Sequence, residues 1–329
     1  MRNTPTTTRL LQFEAPGRAI WKESPLPPLE PDEVLLKVEG ITTCPHWDLH
    51  MMDGIPMFPG APLEYPLVPG QPGHEAVGEV LAVGASVTAL KPGMRVAAWR
   101  DPGNRRMGCY AQYVPIRAED LLPVTPTFAV EELASLELAM CVQGSISQLR
   151  VRGGIEGKNV AVSGLGPSGL IAVQLARAFG AGTVTALDPQ EARRSLALAL
   201  GADEAVDPRT FSWPQGRFHA RAFDAALDTT GLPVSIEALM NATRETVAIF
   251  GVLREAVRFG PEQWWGGFGL LGYATHTRQA AEEAYQCILD QRLTLAPLVS
   301  ARLPFSRYAE GVEMLRSQRA LKVLFDPWD

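Results

Sequence analysis

Val160-Ala161-Val162-Ser163-Gly164-Leu165-Gly166-Pro167-Ser168-Gly169 sets an apolar run directly before glycines spaced G-x-G-x-x-G, and a helix-patterned segment, Leu170 to Phe179, comes at once after them. That context is what gives the glycine spacing meaning. Gly164 permits a tight turn, Gly166 lets the backbone approach a pyrophosphate, and Gly169 lets the helix pack closely on its strand. The helix N-terminus, with unpaired N–H groups and the positive end of its dipole, then faces the phosphates. Leu165, Pro167 and Ser168 complete the turn and are expected along the same phosphates. A second strand, Thr183 to Leu187, ends at Asp188, about the spacing at which an acid accepts hydrogen bonds from ribose hydroxyls. A carboxylate there repels a 2′-phosphate, so NAD is expected in preference to NADP. Arg193 and Arg194 lie just beyond it, and arginine is the residue type that accommodates the extra phosphate.

Outward from this segment, Asp224 to Asp228 and Thr246 to Val252 read as further strands. From Val130 the pattern is helical and then alternates strand and helix to about Ala274, which predicts a doubly wound parallel sheet with helices on both faces. Sites in such sheets open at the carboxyl ends of the strands, so Thr229, just past one of them, is expected beside the cofactor. The aromatic run Gln263 to Phe268 reads as closing either the site or an oligomer interface. Ala281 to Leu289 is patterned as a helix with Cys287 as a small core residue.

Upstream, from Leu10 to about Val114, short β-like runs (Glu33 to Val38, Val77 to Val83, Arg95 to Ala98) are punctuated by Pro and Gly, as in a compact, partly closed β-domain. Met51 to Pro72 reads as an irregular loop whose Met51, Met52, Ile55, Met57 and Phe58 either line a pocket or pack beneath it. The tail from Arg302 to Asp329 has strand, helix and strand character and is expected to return to the β-domain. The expected division is therefore residues 1–135 completed by 280–329, with a nucleotide-binding domain at 136–279.

Of 329 residues, 46% are hydrophobic and 20% charged, enough for two domains with proper cores. A net charge of −6 without a basic block argues against nucleic acid as a partner. No apolar stretch reaches membrane-spanning length, and Met1-Arg2-Asn3-Thr4-Pro5 lacks the apolar core of a secretory signal, so a cytoplasmic protein off the membrane is expected. The four cysteines, Cys44, Cys109, Cys141 and Cys287, are scattered without a CxxC pair and read as thiols or ligands, not as a disulfide frame.

Metal donors cluster in three places: Cys44-Pro45-His46-Trp47-Asp48-Leu49-His50, Gly73-His74-Glu75, and Glu137 with Cys141. A thiolate, an imidazole and a third donor from separate segments, with one position left open, is the composition of a catalytic zinc site.

With these motifs in place the chain resembles the medium-chain, zinc-dependent alcohol and polyol dehydrogenases over nearly its whole length. The matching pieces are Cys44 with Asp48-Leu49-His50, Gly73-His74-Glu75, Val83-Gly84, Lys91 to Val96, Gly108 to Val114, the glycine turn, and Ala320-Leu321-Lys322-Val323. The resemblance implies an α/β fold of two lobes: a GroES-like β-domain completed by the C-terminal tail, and a Rossmann domain between, with the active site in the cleft. It implies that Cys44 and His74 hold zinc, with Glu75 either a ligand or the group that displaces water during exchange. Glu137 stands where relatives supply a third donor, preferred over Cys141 one helical turn on. Asp48 would orient His74, and His50 would relay the alcohol proton from the ribose to solvent. His46 and Thr229 would border the cofactor.

Two departures stand out. Trp47 occupies the place before the aspartate where relatives carry Ser or Thr, and the step from Cys44 to Asp48 is four residues where theirs is three, so either Thr42, Thr43 or water accepts the substrate proton or the chemistry differs from simple alcohol oxidation, and the indole would narrow the pocket. The four-cysteine structural-zinc lobe is absent, so one catalytic zinc and no structural zinc is expected. The implied activity is hydride transfer between NAD and an alcohol/carbonyl pair, apolar or moderately polar. The alternatives are a zinc-free NADPH-dependent enoyl or quinone reductase, and a non-enzymatic nucleotide-binding protein. A homodimer or homotetramer is expected, paired along the strand at Phe268 to Tyr273.

Overall fold

A computed structural model describes residues 5–58 and 62–329, so the N-terminal residues Met1 to Thr4 and part of the Met51–Pro72 loop lie outside the described residues. The chain divides into two units, Met1–Leu138 with Thr294–Asp329, and Ala139–Leu293. The sequence reading set the second boundary at 279/280. The helix Arg278–Leu289 instead belongs with the nucleotide-binding unit, burying Ala280, Ala281, Ala284, Cys287 and Ile288 there.

The first unit is built on the strand Glu33–Thr42, almost wholly buried, which pairs antiparallel with Glu75–Val83 on one side. On its other side lie Tyr113–Arg117 and, farther along, the C-terminal strand Lys322–Asp326. Arg95–Ala98 and Leu121–Pro123 extend the sheet at one end, and Val299–Pro304 at the other. Val299–Pro304 runs parallel to Lys322–Asp326, and the helix Tyr308–Arg316 connects them. The tail thus has the strand, helix and strand read from its sequence, and Phe305 stacks on Phe325 with ring centroids 5.0 Å apart in the core that also holds Phe13, Tyr110 and Tyr308. A separate hairpin, Thr7–Ala15 with Arg18–Pro25, turns at Gly17, whose φ of 73° favours glycine.

The register of the two central strands brings two metal donors together. Thr42 lies opposite Glu75. Cys44 therefore sits just past the end of one strand, and His74 just before the start of its neighbour.

The second unit is a six-stranded parallel sheet ordered Glu204–Val206, Thr183–Leu187, Asn159–Ser163, Phe223–Asp228, Thr243–Ile249, Gly269–Leu271. The first strand in sequence, Asn159–Ser163, lies in the middle, with the order reversing beside it; this is the doubly wound Rossmann arrangement. Its strands are nearly continuous apolar runs because helices such as Pro167–Ala178 and Pro233–Ala242 cover the sheet.

The run Gln263 to Phe268 is tied down by a group the sequence reading missed. Arg217, 3% exposed, donates to the carbonyls of Thr243, Arg244, Glu262 and Trp265 and lies over the Phe268 ring at 4.5 Å. Among the described residues no helix is long and apolar enough to cross a membrane.

Candidate active site

Pro45–Asp53 is a helix, so Met51 to Asp53 belong to it and not to the irregular loop expected from Met51 onward. Pro45 at its first turn has the right φ and no N–H to lose, and Gly54, at φ 70°, ends it in the left-handed conformation. The helix places Cys44 at its N-cap, Asp48 and Met51 inward, and His46 and His50 one turn apart with ring centroids 5.4 Å from each other. Met51 and Met57 enter the core at 2% and 5% exposure, whereas Ile55 and Phe58 stand well exposed.

Opposite, Gly73 has no room for a side chain: a Cβ there would lie 2.5 Å from the Tyr110 backbone nitrogen. The close approach delivers His74 into the site. Its Nδ1–H donates to the Pro72 carbonyl at 2.7 Å, which fixes the tautomer and leaves the Nε2 lone pair for a metal. The ligand atoms of Cys44, His74 and Glu75 all fall within 4.8 Å of one another, and Glu137 Oε2 lies 3.8 Å from His74 Nε2. Burial pushes the Cys44 thiol up, against a hydrogen bond with His74 that pulls it down. For His74 burial works downward, but the Cys44 hydrogen bond, Glu137 and Asp101 together hold it well above the ordinary histidine range. A sulfur, an imidazole and a carboxylate converging in a buried place fit zinc by donor type and number.

Glu75 is committed elsewhere. Lys322, 0% exposed, donates through Nζ to both its oxygens at 2.7 and 2.6 Å and to the Thr43 carbonyl at 2.6 Å. Thr42 Oγ1 adds a third donor to Glu75 at 3.1 Å and pairs with Ser135 Oγ at 2.9 Å. Sequence reading assigned Lys322 no role. The usable signal was a lysine in a strand, Lys322–Asp326, that is otherwise apolar enough to be buried throughout.

Asp48 does not reach His74 by hydrogen bond. Its Oδ1 accepts from the hydroxyls of Tyr110 at 2.6 Å and Tyr308 at 2.5 Å, while Oδ2 is buried with no hydrogen-bond partner among the described residues. Burial pushes its carboxyl up to about 6, partly opposed by the two tyrosines. The expected substitutes for the missing relay hydroxyl are also taken: Thr42 is held between Glu75 and Ser135, and Thr43 Oγ1 accepts from the Val323 backbone at 3.0 Å. Cys141, one turn beyond Glu137 on the helix Leu136–Arg152, accepts a hydrogen bond from the Tyr273 hydroxyl at 3.1 Å.

In the second unit the glycine turn has the shape a dinucleotide needs. Gly164 is left-handed at φ 85°, and a Cβ on Gly169 would stand 1.7 Å from the Gly164 carbonyl oxygen. A Cβ on Gly166 would meet nothing within 4 Å, so that side of the turn is open. The helix Pro167–Ala178 starts there without a side-chain cap. Asp188 Oδ2 accepts from the Leu165 N–H at 2.8 Å, Oδ1 from Gln190 N–H at 2.8 Å, and Arg193 lies 3.5 Å away. Thr229 supports the turn from behind, its hydroxyl donating to the carbonyls of Ser163 and Gly164 at 3.1 and 2.8 Å. Arg194 donates to the backbone carbonyls of Asp188 and Pro189.

Two family models match the chain: the alcohol dehydrogenase GroES-like domain over residues 30–126 and the zinc-binding dehydrogenase domain over residues 167–288. The chain belongs to the zinc-dependent branch of the medium-chain dehydrogenase/reductase superfamily. Within this superfamily it is similar to L-threonine 3-dehydrogenase of Symbiobacterium thermophilum, 27% identical with 98% of each chain covered. Its fold matches galactitol-1-phosphate dehydrogenase of Escherichia coli with a TM-score of 0.84, 25% identity and coverage of 97% of this chain and 100% of that one. A zinc-binding-dehydrogenase homologue from Sinorhizobium meliloti, solved with NADP, matches with a TM-score of 0.83, 24% identity and coverage of 98% and 100%. This medium-chain dehydrogenase is an oxidoreductase of the alcohol dehydrogenase type, and neither the zinc-free reductase nor the non-enzymatic reading is favoured.

Proposed function

We propose that the protein interconverts an uncharged alcohol and its carbonyl compound with NAD, using one zinc held by Cys44, His74 and Glu137. The observation that carries this reading is that Glu137 Oε2 stands 3.8 Å from the Nε2 of His74, whose ligand atoms lie close to those of Cys44, while Lys322 holds both oxygens of Glu75. When bound, the metal supplies Lewis-acid polarisation of the substrate oxygen. The chain's own residues do the rest. Pro72 keeps His74 in the tautomer that presents Nε2, and Tyr110 and Tyr308 grip Asp48 and so fix the helix that carries Cys44. With Thr42 and Thr43 both occupied, water takes the alcohol proton and His50 passes it to solvent.

Asp188 at the end of its strand supports NAD, and its ion pair with Arg193 opposes use of that arginine for a 2′-phosphate. Self-association through the edge strand Gly269–Leu271 is part of the same reading, supported by the exposed Trp264 and Trp265 nearby in the chain.

Metal analysis of the purified protein tests the core of the proposal. One zinc per chain is expected, lost in Cys44→Ser, His74→Ala and Glu137→Gln but retained in Glu75→Gln. Absence of stoichiometric zinc overturns it. An alcohol panel with NAD and NADP, including L-threonine and galactitol 1-phosphate, then reads the substrate and cofactor.

A further inference from the structure

Trp47 lies three residues beyond Cys44 on the helix Pro45–Asp53, and its ring meets two others nearly at right angles. One is the His74 imidazole, centroids 6.4 Å apart at 73°, and the other is Phe58, 6.0 Å apart at 82°. Such contacts are attractive because the positive edge of one ring meets the negative face of the other. They link a metal ligand, through one partly buried indole, to a phenyl ring that is 51% exposed. Ile55, three residues before Phe58, is 44% exposed, although the neighbouring Met57 is buried. The segment therefore sends Met57 into the core and leaves Ile55 and Phe58 in solvent, with the Phe58 ring against Trp47.

The hydroxyls of Thr42 and Thr43 are buried and already in hydrogen bonds, so neither is left over for a further substrate hydroxyl.

We propose that Trp47 and Phe58 form the specificity wall of the alcohol site, and that the substrate is an uncharged alcohol carrying a flat aryl group, of the benzylic type. This rests on the zinc-dependent alcohol oxidation proposed for the chain. A flat ring gains the edge-to-face contact with the indole, which a saturated ring of equal size does not.

The test compares kcat/KM for benzyl alcohol and cyclohexylmethanol with the zinc-loaded full chain and NAD. The aryl-to-cyclohexyl ratio should fall by about threefold to tenfold in Trp47→Leu, in line with the strength of aromatic pairs. Phe58→Leu, at a half-exposed position that tolerates substitution, should lower it in the same direction. Saturation-transfer NMR of benzyl alcohol on the zinc-loaded protein without NAD gives a second readout, with the signal weakened in Trp47→Leu. An unchanged ratio in both variants, with zinc present and alcohols oxidised, overturns the aryl wall and leaves the zinc-dependent reading intact. Absence of zinc together with no oxidation of any alcohol strikes that underlying reading, and the wall falls with it.

Discussion

Replacing Lys322 by methionine should unbalance the catalytic unit more than any other single change of a charge. Lys322 and Glu75 are both 0% exposed, and the ammonium meets both carboxylate oxygens within 2.7 Å. After Lys322→Met the Glu75 carboxylate keeps one hydrogen bond, from Thr42, and stays buried without a counter-charge. Breaking a buried pair from one side costs about 3–5 kcal/mol, because the remaining ion loses its partner but not its desolvation penalty. Glu75→Met should cost a similar amount, since the ammonium would be left with only the Thr43 carbonyl. In the double variant neither charge remains, Thr42 retains Ser135, and two apolar side chains of similar size fill the space. It should be less destabilised than either single variant, giving a coupling energy of at least about 3 kcal/mol. Guanidinium unfolding at neutral pH with a chelator present, so that metal loss does not enter the comparison, measures all four corners of the cycle. Additive single effects would refute the reasoning.

Asp48 predicts a pH dependence. Burial holds its carboxyl at about 6 against an ordinary 3.8, so the folded chain binds this proton more tightly than the unfolded one. Its contribution is complete below 3.8 and is lost as pH rises through 6, on the order of 3 kcal/mol. The stability difference between the natural protein and Asp48→Asn, measured metal-free, should therefore shift by about that amount between pH 4 and 7, in favour of the asparagine variant; parallel profiles would contradict it. At the glycine turn, Gly166→Ala should leave the unfolding midpoint unchanged while weakening NAD by about tenfold to a hundredfold in calorimetry, because its Cβ would project into open space at the pyrophosphate position. Gly169→Ala should lower both stability and NAD affinity, because its Cβ would strike the Gly164 carbonyl.

The Rossmann sheet was legible because glycine spacing, an apolar strand and a helix pattern all act within a few residues of one another. The tail's strand, helix and strand could be read for the same reason. The helix Pro45–Asp53 was not, since its residues combine two histidines, a tryptophan and paired methionines with little amphipathic pattern; proline at the start and glycine past the end were the only local signals. Of the site, Cys44, His74 and Glu137 could be named from donor type and resemblance, and the pairing of Thr42 with Glu75 explains how the first two meet. What escaped were partners supplied by distant segments. Asp48 serves Tyr110 and Tyr308, 62 and 260 residues away, and a hydrogen bond across such a separation leaves no periodicity to read. Arg217 was hidden likewise, its four acceptors being backbone carbonyls that any residue could supply.

The C-terminal strand has a bearing on how the protein is made. Glu75 and its cation are 247 residues apart, and Lys322 lies on the strand that comes last in chain order among those beside Glu33–Thr42. At ribosomal speeds of about 5–20 residues per second, the carboxylate emerges tens of seconds before its counter-ion. Residues 139–293 are contiguous and can fold meanwhile, whereas the sheet that carries Cys44 and His74 is without Lys322–Asp326 until that strand has been made. A nascent chain that stopped short of Lys322 would therefore carry the Glu75 carboxylate without its counter-ion.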